Sequence, residues 1–223
     1  MPAERRKKPV VIAVDGPAAS GKGTLARRLA DHFGYAHLDT GLLYRAVGMA
    51  STPGTDDEID VESAVAAARN LGPEALEDTA LRGEVAAIMA SKAAAIPAVR
   101  AALVDFQRRF AEAPPGGRNG AILDGRDIGT VICPDADHKI FVVASREARA
   151  ERRVKELRER GIAAIYARVL QDMKERDARD RSRSVAPLAP ADDAFLLDTT
   201  SLDADAAFAS ALEFITSRDR SDA

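Results

Sequence analysis

Residues 10–34 read VVIAVDGPAASGKGTLARRLADHFG, and this stretch narrows the choice of folds more than any other part of the chain. Val10, Val11, Ile12, Ala13 and Val14 form an unbroken apolar run, the pattern of a parallel strand covered on both faces. Gly16, Pro17, Ala18, Ala19, Ser20, Gly21, Lys22, Gly23 and Thr24 follow. Leu25, Leu29 and Phe33 then recur at i, i+4 and i+8, as on one face of an amphipathic helix. Gly34 stands where a helix end favours a residue of positive φ. Strand, glycine-bounded loop, lysine and helix in that order are the setting of a P-loop.

The chemistry needs that order. Glycines let the backbone wrap closely around a polyphosphate with successive N–H groups aimed inward. A helix opening near Lys22 adds free N–H groups and the positive end of its dipole. Lys22 is a point charge for β- and γ-phosphates, so residues 16–24 are the expected ATP cradle. In the common pattern a Ser or Thr directly after the lysine ligates Mg²⁺. Here Gly23 intervenes before Thr24, and the protein ligand of the metal stays open. A glycine-rich turn that binds nothing is the bland alternative, and the complete strand–loop–lysine–helix context argues against it.

At 223 residues the chain suits one α/β domain with movable parts. A formal net charge of −3 gives no general attraction to nucleic acid or an anionic membrane, so any basic function must be local. Cys133 is the single cysteine; it cannot form an internal disulfide and fits a reducing cytosol. Arg5, Arg6, Lys7 and Lys8 look like the basic start of a signal peptide, but only five apolar residues follow before Asp15. That is too short for a signal core or a membrane span, so a frayed, solvated start and a cytoplasmic location are expected.

Further short apolar runs at 35–38, 121–124, 139–143 and 194–198 read as four more strands. Between them lie helical patterns: from Leu42 (with Asp39 or Thr40 as candidate cap), over 61–70 and 84–95, and from Pro97 onward. Others run from a Ser145 cap to Gly161, over 165–174, and at the end with Phe208, Leu212 and Ile215 on one side. Residues 51–60 form a polar, turn-rich loop. Strands alternating with helices predict an α/β fold with a five-stranded, parallel, doubly wound sheet.

Two constellations sit where such a sheet binds ligands, beyond the carboxyl ends of its strands. Asp124-Gly125-Arg126-Asp127 closes the third strand with two carboxylates and a guanidinium; its bland reading is a polar turn with an internal Asp–Arg pair. Residues 146–183 hold 13 Lys and Arg against 8 Asp and Glu, an excess of basic groups in an acidic chain. Arg152–Glu156 and Lys155–Glu159 at i,i+4 account for part of it as solvated helix pairs. Residues 176–183 mix Arg with Asp and Ser and suit a mobile lid better than a packed helix. A nucleic-acid arm would interleave aromatics for base stacking, and this segment has none.

GPAASGKGT, DTGLLYR (39–45), ASKAAAIPAVR (90–100), LDGRDIGTV (123–131) and ERDARDRSRSVAPL (175–188) together resemble the bacterial cytidylate kinases, nearly end to end. The resemblance implies a P-loop nucleoside-monophosphate-kinase fold, with a monophosphate-binding helical part at about 40–112 and an arginine-rich lid at about 160–190. It implies ATP, with Mg²⁺, as phosphoryl donor, CMP or dCMP as acceptor, no nucleic-acid or membrane partner, and a monomer. Arg45, Arg126 and Arg183 would then hold the acceptor phosphate. Ser91, Arg100 and Asp127 would read cytosine, and Arg176 and Asp180 would reach the sugar. Thr40, Tyr44 and Asp124 complete the substrate set, while Lys22, Arg126, Arg176 and Arg183 would serve catalysis. One departure is a short stretch between Arg45 and Ser91. Residues 76–83 hold too little strand-like sequence for the β insert of longer family members, which bears on the size and closure of the monophosphate-binding part.

Two rivals stand beside this reading. A P-loop kinase for another small acceptor, such as UMP or a hydroxylated acid, is separable by an acceptor panel. A nucleotide switch is of a different class, and the absence of a guanine-reading N-K-x-D motif counts against the GTPase form.

Overall fold

The computed structural model describes residues 8–54 and 58–221; residues 5–7 of the basic start and 55–57 of the polar loop lie outside them. Strand β1 (Val10–Asp15) is the middle of five and feeds the loop that opens α1 (Lys22–Phe33). β2 (Ala36–Asp39), β3 (Gly120–Gly125), β4 (His138–Val143) and β5 (Phe195–Asp198) complete the sheet. Its order is β2-β3-β1-β4-β5, and every neighbouring pair is parallel. Helices α2 (Thr40–Ala50), α3 (Val61–Arg69), α4 (Glu84–Ala93) and α5 (Pro97–Glu112) fall between β2 and β3. α6 (Arg146–Glu159) and α7 (Tyr166–Ser182) join β4 to β5, and α8 (Ala204–Ser221) follows.

Side chains alternate across a strand, so an unbroken apolar run must find a core on each face. Val11, Ala13, Ala121 and Leu123 face one way, into a core shared with Leu43 and Val47 of α2 and Val99 and Leu103 of α5. Ile12, Val14, Ile122, Ile140 and Val142 face the other, against Leu25 and Leu29 of α1 and Ala211 and Ile215 of α8. Each such Leu or Ile contributes about 1.5–3 kcal/mol on burial, which makes β1 a rigid base for the loop it carries. The chain passes from β1 out to β2, back to β3, and then across β1 to β4. Order reverses there, and at that edge β1, β2 and β3 end in the P-loop, Asp39 and Asp124.

Several local expectations need correction. The second strand starts at Ala36, because the Tyr35 N–H still closes α1 by donating to the Ala30 carbonyl at 2.9 Å. α2 begins at Thr40 with no side-chain cap: Asp39 makes no capping bond, and Thr40 Oγ1 donates to the Asp124 carbonyl at 2.8 Å. The Arg152–Glu156 pair does not form. Arg152 donates to Thr199 Oγ1 at 3.0 Å, while Glu156 accepts from Arg153 and Arg160, each at 2.8 Å. Lys155–Glu159 is present on the exposed face at 3.9 Å, and Ser145 caps α6 by accepting from the Ala148 N–H. Residues 176–182, read as a break, continue α7 to Ser182. Asp177 and Asp180 would favour a turn by bonding their own backbone, but both are buried and spend their oxygens on arginines. Between α3 and α4 the chain makes only two 3₁₀ turns, Pro73–Leu76 and Thr79–Arg82, in line with the expected lack of a β insert. Among the described residues no single helix is long and apolar enough to cross a membrane.

Candidate active site

The P-loop is shaped by its glycines. Gly16 takes φ +150°, and a Cβ there would lie 2.2 Å from the Val142 carbonyl oxygen on β4, so no side chain fits. Gly21, at φ +93°, turns the chain into α1 and leaves the first-turn N–H groups of that helix open. Ala19 also takes a left-handed φ of 57° at the apex of the loop.

Above the loop lies a cavity of about 450 Å³. Ala18, Ala19, Lys22 and Gly23 line it from below, whereas Gly16, Pro17 and Ser20 are buried beneath and Gly21 and Thr24 lie outside its wall. Every residue expected to contact the acceptor also lines it: Thr40, Tyr44, Arg45, Ser91, Arg100, Asp124, Arg126, Asp127, Arg176, Asp180 and Arg183. They come from α2, α4, α5, the end of β3 and α7, with Arg183 just past the end of that helix, so distant segments converge at one strand edge.

The charges fall into three groups. At the P-loop, Lys22 Nζ lies 3.9 Å from Asp124 Oδ1, and the other Asp124 oxygen lies 2.8 Å from His37 Nε2. Burial, and then the neighbouring Arg126, push the Lys22 ammonium down to about 8. Asp124 also stands beside Gly23, where an added Cβ would come 3.8 Å from Oδ1. A carboxylate thus lies next to the position that usually carries the metal-binding hydroxyl.

The second group is the arginine cluster. Arg126 Nε donates to Asp180 Oδ2 at 2.9 Å, and Arg183 donates to Asp180 Oδ1. Burial opposes the Asp180 charge, but Arg126, Arg183 and Arg176 outweigh it and hold its carboxyl below the usual range. Burial, and then Arg126, bring Arg176 down to about 9. The Nε atoms of Arg176 and Arg183 are buried with no hydrogen-bond partner among the described residues. Buried donors are normally satisfied, so such a pair marks a place for an anion. Arg45 instead donates Nη1 to the Leu81 carbonyl at 2.6 Å.

The third group is the far wall. Asp127 pairs with Arg100, an arginine from another element, as a purely structural role for this carboxylate also allows, and both are nearly inaccessible. The Arg100 guanidinium lies 5.5 Å over the Tyr44 ring, and Ser91 Oγ accepts from Arg179 Nε at 3.3 Å.

Sequence reasoning missed part of the wall. Arg179 had a signal, since it sits one turn from both Arg176 and Arg183. Glu84 of α4 pairs with Arg153 of α6, and both line the cavity, yet 69 positions separate them and no spacing rule reaches that far. Asp39 also lines it, its carboxyl raised by burial and then by Asp124. Asp15, at the end of β1, accepts from the Ile128 and Gly129 N–H groups at 2.9 and 2.8 Å, and so ties the turn after Asp127 to the P-loop strand. Burial pushes the Asp15 carboxyl up to about 7 against those two bonds.

A parallel five-stranded sheet, a P-loop on its central strand and buried arginines facing that loop define a P-loop phosphotransferase. Comparison with known proteins gives the particular kind. The cytidylate kinase family matches residues 12–217. The cytidylate kinase of Paramagnetospirillum magneticum is 63% identical over 208 residues, covering 93% of this chain and 98% of that one. That of Methylocella silvestris is 61% identical over 208 residues, covering 93% and 94%. The chain belongs to the cytidylate kinase family. A solved structure of an uncharacterized protein from Eubacterium ventriosum shares the fold, with a TM-score of 0.53 at 15% identity over 93% of this chain and 99% of that one.

Proposed function

We infer that this chain transfers the γ-phosphoryl group of ATP to a phosphate oxygen of CMP or dCMP, giving ADP and CDP or dCDP. The observation that carries it is that Arg176 and Arg183, each with a buried and unspent Nε donor, line the same cavity as the P-loop lysine.

The acceptor phosphate is already an ionised nucleophile, so the site needs no general base. The obstacle is repulsion between two anions. Two unit charges 4 Å apart repel by about 1 kcal/mol in water and about 4 kcal/mol at an effective dielectric of 20. Once water is excluded, fixed cations must offset that repulsion, and catalysis becomes positioning plus electrostatic stabilisation. In this reading Lys22 and the P-loop N–H groups hold the ATP phosphates. Arg45, Arg126 and Arg183 hold the acceptor phosphate, and Arg176, with Asp180, reaches the sugar and the group in transfer. Asp127, Arg100 and Ser91 read the base. Thr40 and Tyr44 close the wall behind it.

Mg²⁺ arrives with ATP and supplies charge neutralisation on the phosphates. Among the described residues no group of three or more His, Cys, Asp and Glu is placed to hold a metal. The Asp124 carboxylate beside Lys22 and Gly23 fits a hard cation that keeps most of its ligands from phosphate and water. Residues of about 160–190 act as the lid, about 40–112 as the monophosphate-binding part, and the protein works as a cytosolic monomer.

Coupled ADP release with CMP, dCMP, UMP and AMP as acceptors tests this reading. CMP and dCMP should give the highest kcat/KM. Equal or better use of UMP or AMP would replace the acceptor assignment.

A further inference from the structure

We propose that Arg149 and Asp177, outside the cavity wall, form a positioning latch that fixes the P-loop apex and the lid arginine Arg176 relative to one another. Arg149 of α6 is 3% exposed and Asp177 of α7 is 2% exposed. They meet as a two-pronged pair, Nη1 to Oδ1 at 3.0 Å and Nη2 to Oδ2 at 2.6 Å. The same Nη1 donates to the Ala18 carbonyl of the P-loop at 3.2 Å, and Nε donates to the Ala144 carbonyl at 3.2 Å. One guanidinium therefore ties together the P-loop, the start of the β4–α6 turn and α7. Arg146 Nε adds a longer contact to Asp177 Oδ2 at 3.8 Å.

Two consequences follow from that placement. In a trans peptide the C=O and the next N–H point in opposite directions. Holding the Ala18 carbonyl on Arg149, which does not line the cavity, turns the Ala19 N–H away from Arg149, as a phosphate cradle needs. Ala19 is also packed against the apolar cluster of Ala150, Val154, Leu157, Val169 and Met173 that joins α6 to α7, so packing and pairing act on the same peptide. Asp177 directly follows Arg176. Clamping it sets how far the neighbouring guanidinium, which has no partner at Nε, reaches into the cavity. An arginine–carboxylate fork fixes orientation as well as distance, which a single contact would not.

The proposal rests on the kinase reading above, and its test separates the two. Asp177→Asn and Arg149→Lys are assayed for kcat, for KM of ATP and of CMP, and for thermal melting. They are then combined with Arg176→Lys. A latch predicts a fall in kcat on the order of 10- to 100-fold with KM for CMP little changed, because misplacing a reacting group by about 1 Å has that effect. It also predicts non-additivity: with Arg176→Lys in place, adding Asp177→Asn should cost little more. Hydrogen exchange at the apex amides of residues 18–20 should quicken in both single variants while the sheet stays protected. Unchanged kcat in folded variants overturns the latch and leaves the kinase reading standing. So do fully multiplicative losses with Arg176→Lys, and so does general unfolding of both variants, which would make the pair a support of the fold alone. Absence of CMP phosphorylation by the wild-type chain overturns the kinase reading itself.

Discussion

Lys22 carries the heaviest demand on any one side chain. It is a largely buried cation at a helix N-terminus, where burial and Arg126 both disfavour its charge and a bound polyphosphate would restore it. Lys22→Ala should lower kcat by on the order of 100-fold or more while CMP still binds. The sign of its pH dependence follows from the lowered value of about 8: the free enzyme loses this charge as pH rises through 8, and an anion favours the charged form. kcat/KM for ATP should therefore fall above pH 8. Lys22→Arg should remove that limb, because a guanidinium keeps its charge at high pH. A flat wild-type profile from pH 7 to 9.5 would contradict this. Asp127 makes a different prediction. Cytosine offers a 4-amino donor beside two acceptors, which a carboxylate and a guanidinium can match, whereas uracil presents an acceptor at position 4 and a donor at N3. A site of this kind rejects the misfit by roughly 10⁴-fold, because buried polar groups are left unpaired. Asp127→Ala also strands Arg100 without its partner, at about 3–5 kcal/mol of stability. The CMP/UMP ratio of kcat/KM should collapse in the variant assayed below its melting point. A lower melting temperature with the ratio unchanged would confine Asp127 to holding Arg100.

α7 shows how one element can be misread from composition and still carry the expected groups. Alternating Arg and Asp argue locally for a turn, because aspartate competes with the helix for backbone N–H groups. Tertiary pairing reverses that preference. Asp177 is taken by Arg149, and Asp180 by Arg126 and Arg183, so the helix runs to Ser182. Its period then places Arg176, Arg179 and Asp180 on the cavity wall, with Arg183 one residue beyond its end. On the proposed reading the lid would close as a helix and not as a loose segment. Hydrogen exchange with an ATP analogue plus CMP should show new protection across residues 176–183, as phosphates take up the free donors of Arg176 and Arg183. Unchanged exchange would make this a static wall.

Across the whole molecule, what was legible in the sequence was local or periodic. The strand, loop, lysine and helix of residues 10–34 are contiguous, and Asp124 to Asp127 follow directly on a strand, so their place at the sheet edge needed no tertiary knowledge. Glu84–Arg153, Arg149–Asp177 and the Asp15 bonds to Ile128 and Gly129 join positions far apart in the chain, and only the fold brings them together. Those long-range pairs tie the P-loop strand, α4, α6 and α7 into one enclosure around the cavity. An enclosure built to keep water from the γ-phosphate should transfer to CMP far faster than to water. The most direct measurement follows ADP, CDP and inorganic phosphate together, with MgATP present and CMP added or withheld. The account predicts ADP and CDP in equal amounts, almost no phosphate, and ADP release without CMP slower by on the order of 100-fold or more. ADP release that ignores CMP and yields phosphate in equal amount would contradict it.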